Sequence, residues 1–372
     1  MKNSRDTILN YCLCHSICLK LNIVSPDFQK ARIFMQQLAF DAPVTVRLIE
    51  SYLSDLVKVR SGNGLLLGLS GGVDSSVLAT LAVRAVGKEN VHVRFLFDRD
   101  SEKSSEDNAR IMAQWLGVEL EIEDISPVMR KRRVYAPLIM KIALFSPRFN
   151  RRFEHAYRRI VGETSFKSSL KVGGHVVGHS WLKRTMFNLS IRHVDKGFSE
   201  RHVYRRTVLE RKAAQDDLVL IGAANRSEFE VGWFVKDGID DLPIQPMTGL
   251  YKTQVWQLAA HLNLPEAIQT QLPSPDMVLG ITDEFGIGHS YQRLDVVLDL
   301  LEQKKPKSEI IEQGISQHEL DDILDLMKFS AWKRVSRHEA PPVDGGINGN
   351  VRAFEEIKGV RPQLKGSDPL LS

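Results

Sequence analysis

The sequence predicts an α/β protein built on a doubly wound parallel sheet, with a helical N-terminal extension and an inserted basic segment. Three observations carry this. Short apolar runs alternate with helical patterns from residue 65 to 122 and again from residue 218; the first run passes through a glycine turn directly into a helix; and an arginine-rich stretch interrupts the rhythm. At 372 residues, 43% hydrophobic and 26% charged, the chain has ordinary globular usage. That excludes wholesale disorder and collagen-like or disulfide-scaffold architectures.

Taken in order, residues 1–43 form the extension, whose apolar stretch Ile8 to Leu21 holds all three cysteines. In Val44–Val59 apolar residues recur mostly at three- and four-residue spacing, as in an amphipathic helix, and Ser61-Gly62-Asn63-Gly64 stops it. Leu65–Leu69 is the first strand and Ser75–Val86 the helix after its turn. Val91–Phe97 is the second strand; a polar loop and a helix ending near Leu116-Gly117 precede the third, Val118–Ile122. Beyond the basic segment, Leu218–Ile221 reads as a buried strand, and Lys252–Leu262, Tyr291–Glu302 and His318–Ala331 as helices. The chain thus divides into a sheet domain at 44–129 and 213–335, a basic insertion at 130–212, and a C-terminal loop and flexible tail at 336–372.

The net charge of +4 hides an asymmetry: residues 130–212 carry 21 Lys and Arg against 5 Asp and Glu, leaving 29 against 41 elsewhere. Such a segment predicts a role or partner of its own. Its arginines, with Tyr135, Phe149, Phe153 and Tyr157, suit a nucleic-acid surface; its apolar stretch Val134–Phe145 suits an interfacial helix on anionic lipid; and its charge suits an acidic protein surface or oligomer contact. A solvated insertion without ligand is the plain alternative. No apolar run reaches the ~18–20 residues of a membrane span, and the N-terminus lacks a signal-peptide pattern, so a cytoplasmic location is expected. Cys12, Cys14 and Cys18 cannot form a disulfide framework. With His15 they number four zinc-ligand types, but helix positions two apart point about 200° from each other, so small core side chains are the favoured reading and zinc the alternative. His175, His179, His193 and His202 are too scattered for a metal site and read as polar surface residues.

The strongest signal is Leu65-Leu66-Leu67-Gly68-Leu69-Ser70-Gly71-Gly72-Val73-Asp74-Ser75-Ser76. Consecutive glycines let backbone N–H groups turn toward one point, and the following helix adds its uncompensated N–H groups and positive dipole end. The result is an anion cradle. Ser70, Ser75 and Ser76 can add hydroxyl donors. Asp74 would repel a bare phosphate, so it makes sense as a ligand for Mg2+ bridging phosphates. With no lysine after the glycines, this is not a GxxxxGKS/T loop.

SGGVDSS resembles the pyrophosphate loop of the N-type ATP pyrophosphatases, whose members adenylate a carbonyl or carboxyl oxygen with ATP and let a nitrogen or sulfur nucleophile displace AMP. The resemblance implies an adenine nucleotide alpha hydrolase-like, Rossmann-like sheet. Four later segments resemble the NAD synthetases within that group. Leu220-Ile221-Gly222-Ala223-Ala224-Asn225-Arg226-Ser227-Glu228 is similar to their strand-to-loop segment, whose closing glutamate, here Glu228, is a second metal ligand. Gly232-Trp233-Phe234-Val235-Lys236-Asp237-Gly238 resembles GYFTKYGDG and implies that Lys236 neutralises charge developing on pyrophosphate. Pro246 to Val255 resembles the GLYKTQV segment and makes Thr248 and Lys252 phosphate or adenylate contacts. Pro273-Ser274-Pro275-Asp276, with Thr282-Asp283-Glu284, resembles the PSAD…TDE lid that closes over the acyl-adenylate. Such a lid suits an intermediate that water would hydrolyse.

Departures accompany the likeness. KYGDGGAD reads here as Lys236-Asp237-Gly238-Ile239-Asp240-Asp241-Leu242-Pro243, without the glycine pair. HKR becomes His338-Glu339-Ala340, replacing a cation that could face a dinucleotide phosphate. The ARxRM run is echoed only loosely by Tyr204-Arg205-Arg206-Thr207, making Arg205 and Arg206 substrate contacts. Nucleotide handling thus looks intact while the acid pocket looks altered. The resemblance implies an ammonia-dependent ligase acting on deamido-NAD, with ATP as co-substrate, Mg2+ held by Asp74 and Glu228, and a homodimeric state. About 60 residues before the sheet are too few for a glutaminase domain, so ammonia is free or supplied by another protein. A different carboxylate, a lysidine-type tRNA-modifying enzyme gripping RNA with the basic segment, and a non-enzymatic nucleotide-binding recruitment module are the alternatives.

Overall fold

The computed structural model describes residue 38 and residues 40–341, apart from 61, 143–145, 176–184, 186, 276–277 and 336–337. The expected N-terminal extension up to residue 37, its three cysteines, the tail from residue 344, and Asp276 of the expected lid lie outside the described residues.

Four parallel strands form the sheet: β1 (Leu65–Gly68), β2 (Val91–Phe97), β3 (Leu120–Asp124) and β4 (Val219–Leu220), in the order β3-β2-β1-β4. The strand order reverses between β1 and β4, so the crevice at their carboxyl ends is the topological switch point, where open α/β sheets bind ligands. A parallel sheet must be covered on both faces, and the alternation of side chains along β1 shows how. Leu65 and Leu67 join the core made with α1 (Ala42–Arg60), α2 (Val73–Val86) and α3 (Lys103–Leu116), whereas Leu66 joins Leu96, Ile125, Met129, Val208 and Leu209 on the other face. The expected doubly wound α/β class is therefore the observed one.

Element ends moved for local reasons. The third strand starts two residues later than its apolar run because Gly117, at φ 68°, caps α3 and Val118 N–H turns back to Ala113 O at 3.0 Å. The helix after the glycine turn starts two residues earlier, at Val73, with Gly72 as its extended N-cap. Beside β4 the sheet is continued by short pieces: Gly222 N–H donates to Ile244 O at 2.9 Å, and Ile244 pairs in turn with Glu339.

Through its described residues the basic segment is mainly helical: α4 (Ser126–Lys131), α5 (Leu138–Ile142), α6 (Pro147–Val161), α7 (Ser165–Gly173) and α8 (Ile191–Asp216). Much of its charge meets the acidic body directly. Arg201 is fully buried, 3.0 Å from Asp98 and also paired with Asp100 at the end of β2. Lys167 lies 2.7 Å from both Asp322 and Asp325, and Lys212 2.9 Å from Glu121. A third core packs around α9 (Arg226–Val231), Tyr251 before α10 (Lys252–His261), and the C-terminal helices. Those are α12 (Asp283–Ile287), α13 (Tyr291–Glu302), α14 (Lys307–Glu312) and α15 (Gln317–Phe329), whereas α11 (Glu266–Gln269) sends Ile268 into the first core. Among the described residues no helix is long and apolar enough to cross a membrane.

Candidate active site

A cavity of about 1190 Å3 opens at the switch point. Its floor is the turn after β1. Gly71 sits at φ 81°, and a Cβ there would lie 2.2 Å from Ser105 O, so only glycine lets the turn pass α3. Ser70 Oγ accepts from Gly72 N–H at 3.2 Å and lies 3.0 Å from Ser75 Oγ, which donates to Gly72 O. Ser70, Gly72, Asp74 and Ser75 line the cavity. Ser76 does not: it is fully buried and its hydroxyl donates to Gly72 O at 2.8 Å, bracing the turn from beneath. Thr248 is buried likewise, with its hydroxyl donated to Gln245 O.

Beside the turn lies a cluster of charge around a buried lysine. Lys252, at the first position of α10, places Nζ 2.5 Å from Asp74 Oδ2 and 2.9 Å from Glu228 Oε1. Asn225 caps α9 by accepting Glu228 N–H at 3.0 Å and donates its amide to Asp74 Oδ1 at 2.9 Å. Tyr291 hydroxyl donates to Asp283 at 3.1 Å and reaches Glu228 at 3.3 Å. Burial pushes the Glu228 carboxyl up to about 8 although Lys252 draws it down, with Asp74 and Asp283 adding to the rise. Burial raises Asp283 as well. Burial also works against the Lys252 ammonium, but Asp74 and Glu228 outweigh it and hold the charge above the ordinary lysine range. The sequence assigns Lys252 to phosphate; here its Nζ sits between the two carboxylates assigned to metal. They stand in the first turns of the helices that follow the adjacent strands β1 and β4, around a buried cation. Among the described residues no group of three or more His, Cys, Asp or Glu could hold a metal. Two carboxylates beside a phosphate cradle nevertheless fit Mg2+, which ordinarily takes one or two carboxylates and completes its shell with phosphate and water oxygens.

The remaining assignments separate. Lys236 lines the cavity, with Nζ 3.4 Å from Asp237. Arg205 also lines it but anchors to Leu96 O at 2.9 Å, while Arg206 turns away to Glu210 and Asp241 O. Ser274 and Asp283 line it; Thr282 caps α12, and Glu284 accepts Tyr291 N–H at 2.9 Å. Glu339, in the position of the missing cation, is not on the cavity wall. It ties the C-terminal segment to α1 through Arg60 at 2.7 Å and Tyr52 at 3.3 Å.

Sequence reasoning missed two pairs on the wall. His202 lies 2.8 Å from Asp240, which comes from the loop that departs from the KYGDGGAD pattern. The departure was the available signal. Lys333 donates to Gly232 O at 2.7 Å and to Phe234 O; burial pulls its ammonium down to about 8, against the charges of Asp195 and Asp240. Asp195, raised to about 6 by burial, lines the same wall.

A parallel sheet with an anion cradle and a carboxylate pair at its switch point defines a nucleotide-binding α/β enzyme class. Residues 45–173 and 192–337 match the family model described as NAD synthase, and the chain belongs to that family. The NH(3)-dependent NAD(+) synthetase of Coprothermobacter proteolyticus is 31% identical over 285 residues, 76% of this chain and 92% of the relative. That of Thermotoga neapolitana is 32% identical over 265 residues, 70% of this chain and 84% of the relative. The solved structure of NMN synthetase from Francisella tularensis superposes with a TM-score of 0.56 at 22% identity, covering 80% of this chain and 97% of that one, a likeness of fold.

Proposed function

We propose that this protein is an ammonia-dependent, AMP-forming ligase that converts deamido-NAD to NAD at the expense of ATP. The observation that carries the reading is the Asp74–Lys252–Glu228 cluster on the cavity wall beside the Ser70–Ser75 turn, in a chain of the NAD synthase family. The turn and the N-terminus of α2 hold the pyrophosphate portion of ATP; Gly72 N–H, now on Ser70 Oγ, exchanges that partner for a phosphate oxygen. Asp74 and Glu228 would hold Mg2+, which when bound supplies positive charge to the phosphates. The substrate carboxylate attacks the α-phosphorus and pyrophosphate leaves. Lys236, on the cavity wall, opposes the charge that develops on it. Ammonia then attacks the acyl carbon, the carbon–oxygen bond to phosphate breaks, and AMP departs with the electron pair while the nitrogen sheds a proton. Residues 273–275 and 278–286 close one side of the cavity and keep water from the adenylate. A homodimer and a cytoplasmic location belong to the same reading.

The test is to incubate the protein with ATP, Mg2+, ammonium and deamido-NAD and to measure pyrophosphate, AMP and NAD together. NAD formed in step with AMP is the expected result. Adenylation only of nicotinate mononucleotide or of another carboxylate would move the acceptor, and no substrate-dependent pyrophosphate would end the reading.

A further inference from the structure

The arginines of the basic segment do not all face outward or toward the acidic body. α6 runs alongside the segment that carries Leu279 to Phe285, and its side chains reach that segment's backbone. Asn150 Nδ2 donates to Leu279 O at 3.0 Å, Arg151 Nε to Gly280 O at 2.7 Å, and Arg158 to Phe285 O. The contact is shaped as well as bonded. Gly280, at φ 78°, lets the backbone lie on Pro147, where a Cβ would come within 2.5 Å of the proline ring. The Arg158 guanidinium stacks over the Phe285 ring at 4.6 Å, and His155 meets that ring edge-on at 5.2 Å. Arg158 is itself held by Glu154 at 2.9 Å, and Glu154 also accepts Ser165 N–H from α7. Phe149, Asn150, Phe153 and Glu154 line the cavity from one side and Ser274, Leu279, Ile281 and Asp283 from the other.

We infer that Asn150, Arg151 and Arg158 are positioning residues that latch the 279–285 backbone onto α6 and so hold it over the cavity between adenylation and amidation. The inference rests on the proposed reaction for its chemical consequence, not for the latch itself. Carbonyls that would otherwise take hydrogen bonds from water are capped by side-chain donors from one helix; two of the three are guanidinium groups, and bonds from charged donors are the stronger kind. A segment held this way keeps solvent from the acyl-adenylate. Released, it admits water, whose oxygen attacks the acyl carbon; the carbon–oxygen bond to phosphate breaks, and AMP and the free acid form with loss of a proton. ATP is then consumed without amide.

Two measurements on the full chain test this. Chymotryptic cleavage after Leu279 and Phe285, read by mass spectrometry without substrate, reports the latch directly, and neither cleavage site is changed by altering the arginines. In the Arg151→Ala/Arg158→Ala protein, cleavage there should be about tenfold faster at a temperature well below the melting transition of both proteins, and Arg158→Lys should recover part of the protection. With deamido-NAD, ATP, Mg2+ and ammonium, the same double variant should release AMP in several-fold excess over NAD, while the wild type makes them one for one. Unchanged cleavage overturns the latch. Faster cleavage with AMP and NAD still equal overturns its role in shielding the adenylate. A wild type that makes no NAD overturns the proposed reaction instead, and the cleavage result then decides the latch on its own.

Discussion

Replacing Asp74 by Asn tests the centre of the site with almost no change in volume. Both Asp74 oxygens accept from donors: Oδ1 from the Asn225 amide at 2.9 Å and Oδ2 from the Lys252 ammonium at 2.5 Å. Whichever way an asparagine turns, its NH2 group meets one of those donors. The loss is therefore a charge-assisted bond plus a donor–donor contact, about 2–3 kcal/mol, moderated because Lys252 keeps Glu228 at 2.9 Å. Over a chain of this size that lowers the melting temperature by about 3–5 °C and leaves the protein folded. Catalysis should fall much further, by about a hundredfold, because one of two carboxylates assigned to Mg2+ is gone. The assay is substrate-dependent pyrophosphate release across a Mg2+ titration, with denaturant unfolding of the same sample. A variant within threefold of the wild-type rate at subsaturating Mg2+ would remove Asp74 from the metal site, whatever its stability.

Gly71→Ala should be costlier to the fold, by about 2–4 kcal/mol, since it combines φ 81° with a Cβ 2.2 Å from Ser105 O; a urea midpoint close to wild type would mean the turn can shift freely. Arg201→Met leaves Asp98 and Asp100 buried without their shared cation, and should cost about 3 kcal/mol because Asp100 retains Arg99 at 2.8 Å; adding Asp98→Asn should recover part of the loss, and strict additivity would refute the pairing. Lys333 gives a pH signature. Its folded-state value of about 8 lies below the ordinary 10.5, so the unfolded chain binds the extra proton in that window and stability should rise as pH goes from 8 to 10.5, by at most about 3 kcal/mol. The difference between wild type and Lys333→Met in urea unfolding reads it, and a flat difference would refute the lowered ammonium.

The glycine turn was legible because every feature that makes it lies within a dozen consecutive residues: an apolar strand, two glycines and a helix start. The sheet strands were legible for the same reason, and their ends differ by one or two residues, at β3 because the Gly117 cap took residues the apolar pattern had given to the strand. Partners brought from far along the chain were not legible. Lys252 meets Asp74 across 178 positions, and nothing local in the GLYKTQV-like run distinguishes a lysine aimed at phosphate from one aimed at carboxylates. Ser76 and Thr248 carry the same hydroxyl chemistry as Ser70, but helix geometry turns Ser76 inward and Gln245 O engages Thr248. His202 looked like surface because its partner, Asp240, comes from a loop 38 positions on. The basic segment's net charge is a sum, whereas individual arginines have separate partners: Arg201 a buried pair at Asp98, Arg205 a carbonyl at Leu96, and Arg151 and Arg158 the backbone of residues 279–285.

The sheet order bears on how the chain is made. β1 is central, yet its second neighbour is β4, so Leu65 must wait for Val219, 154 residues later, before that side is paired. During synthesis the apolar run Leu65–Leu69 therefore stands with one open edge while the whole basic segment emerges. An open edge of that composition invites pairing with another nascent chain. The charged stretch that separates the two strands is then also, for those seconds, the solubilising part of an unfinished protein.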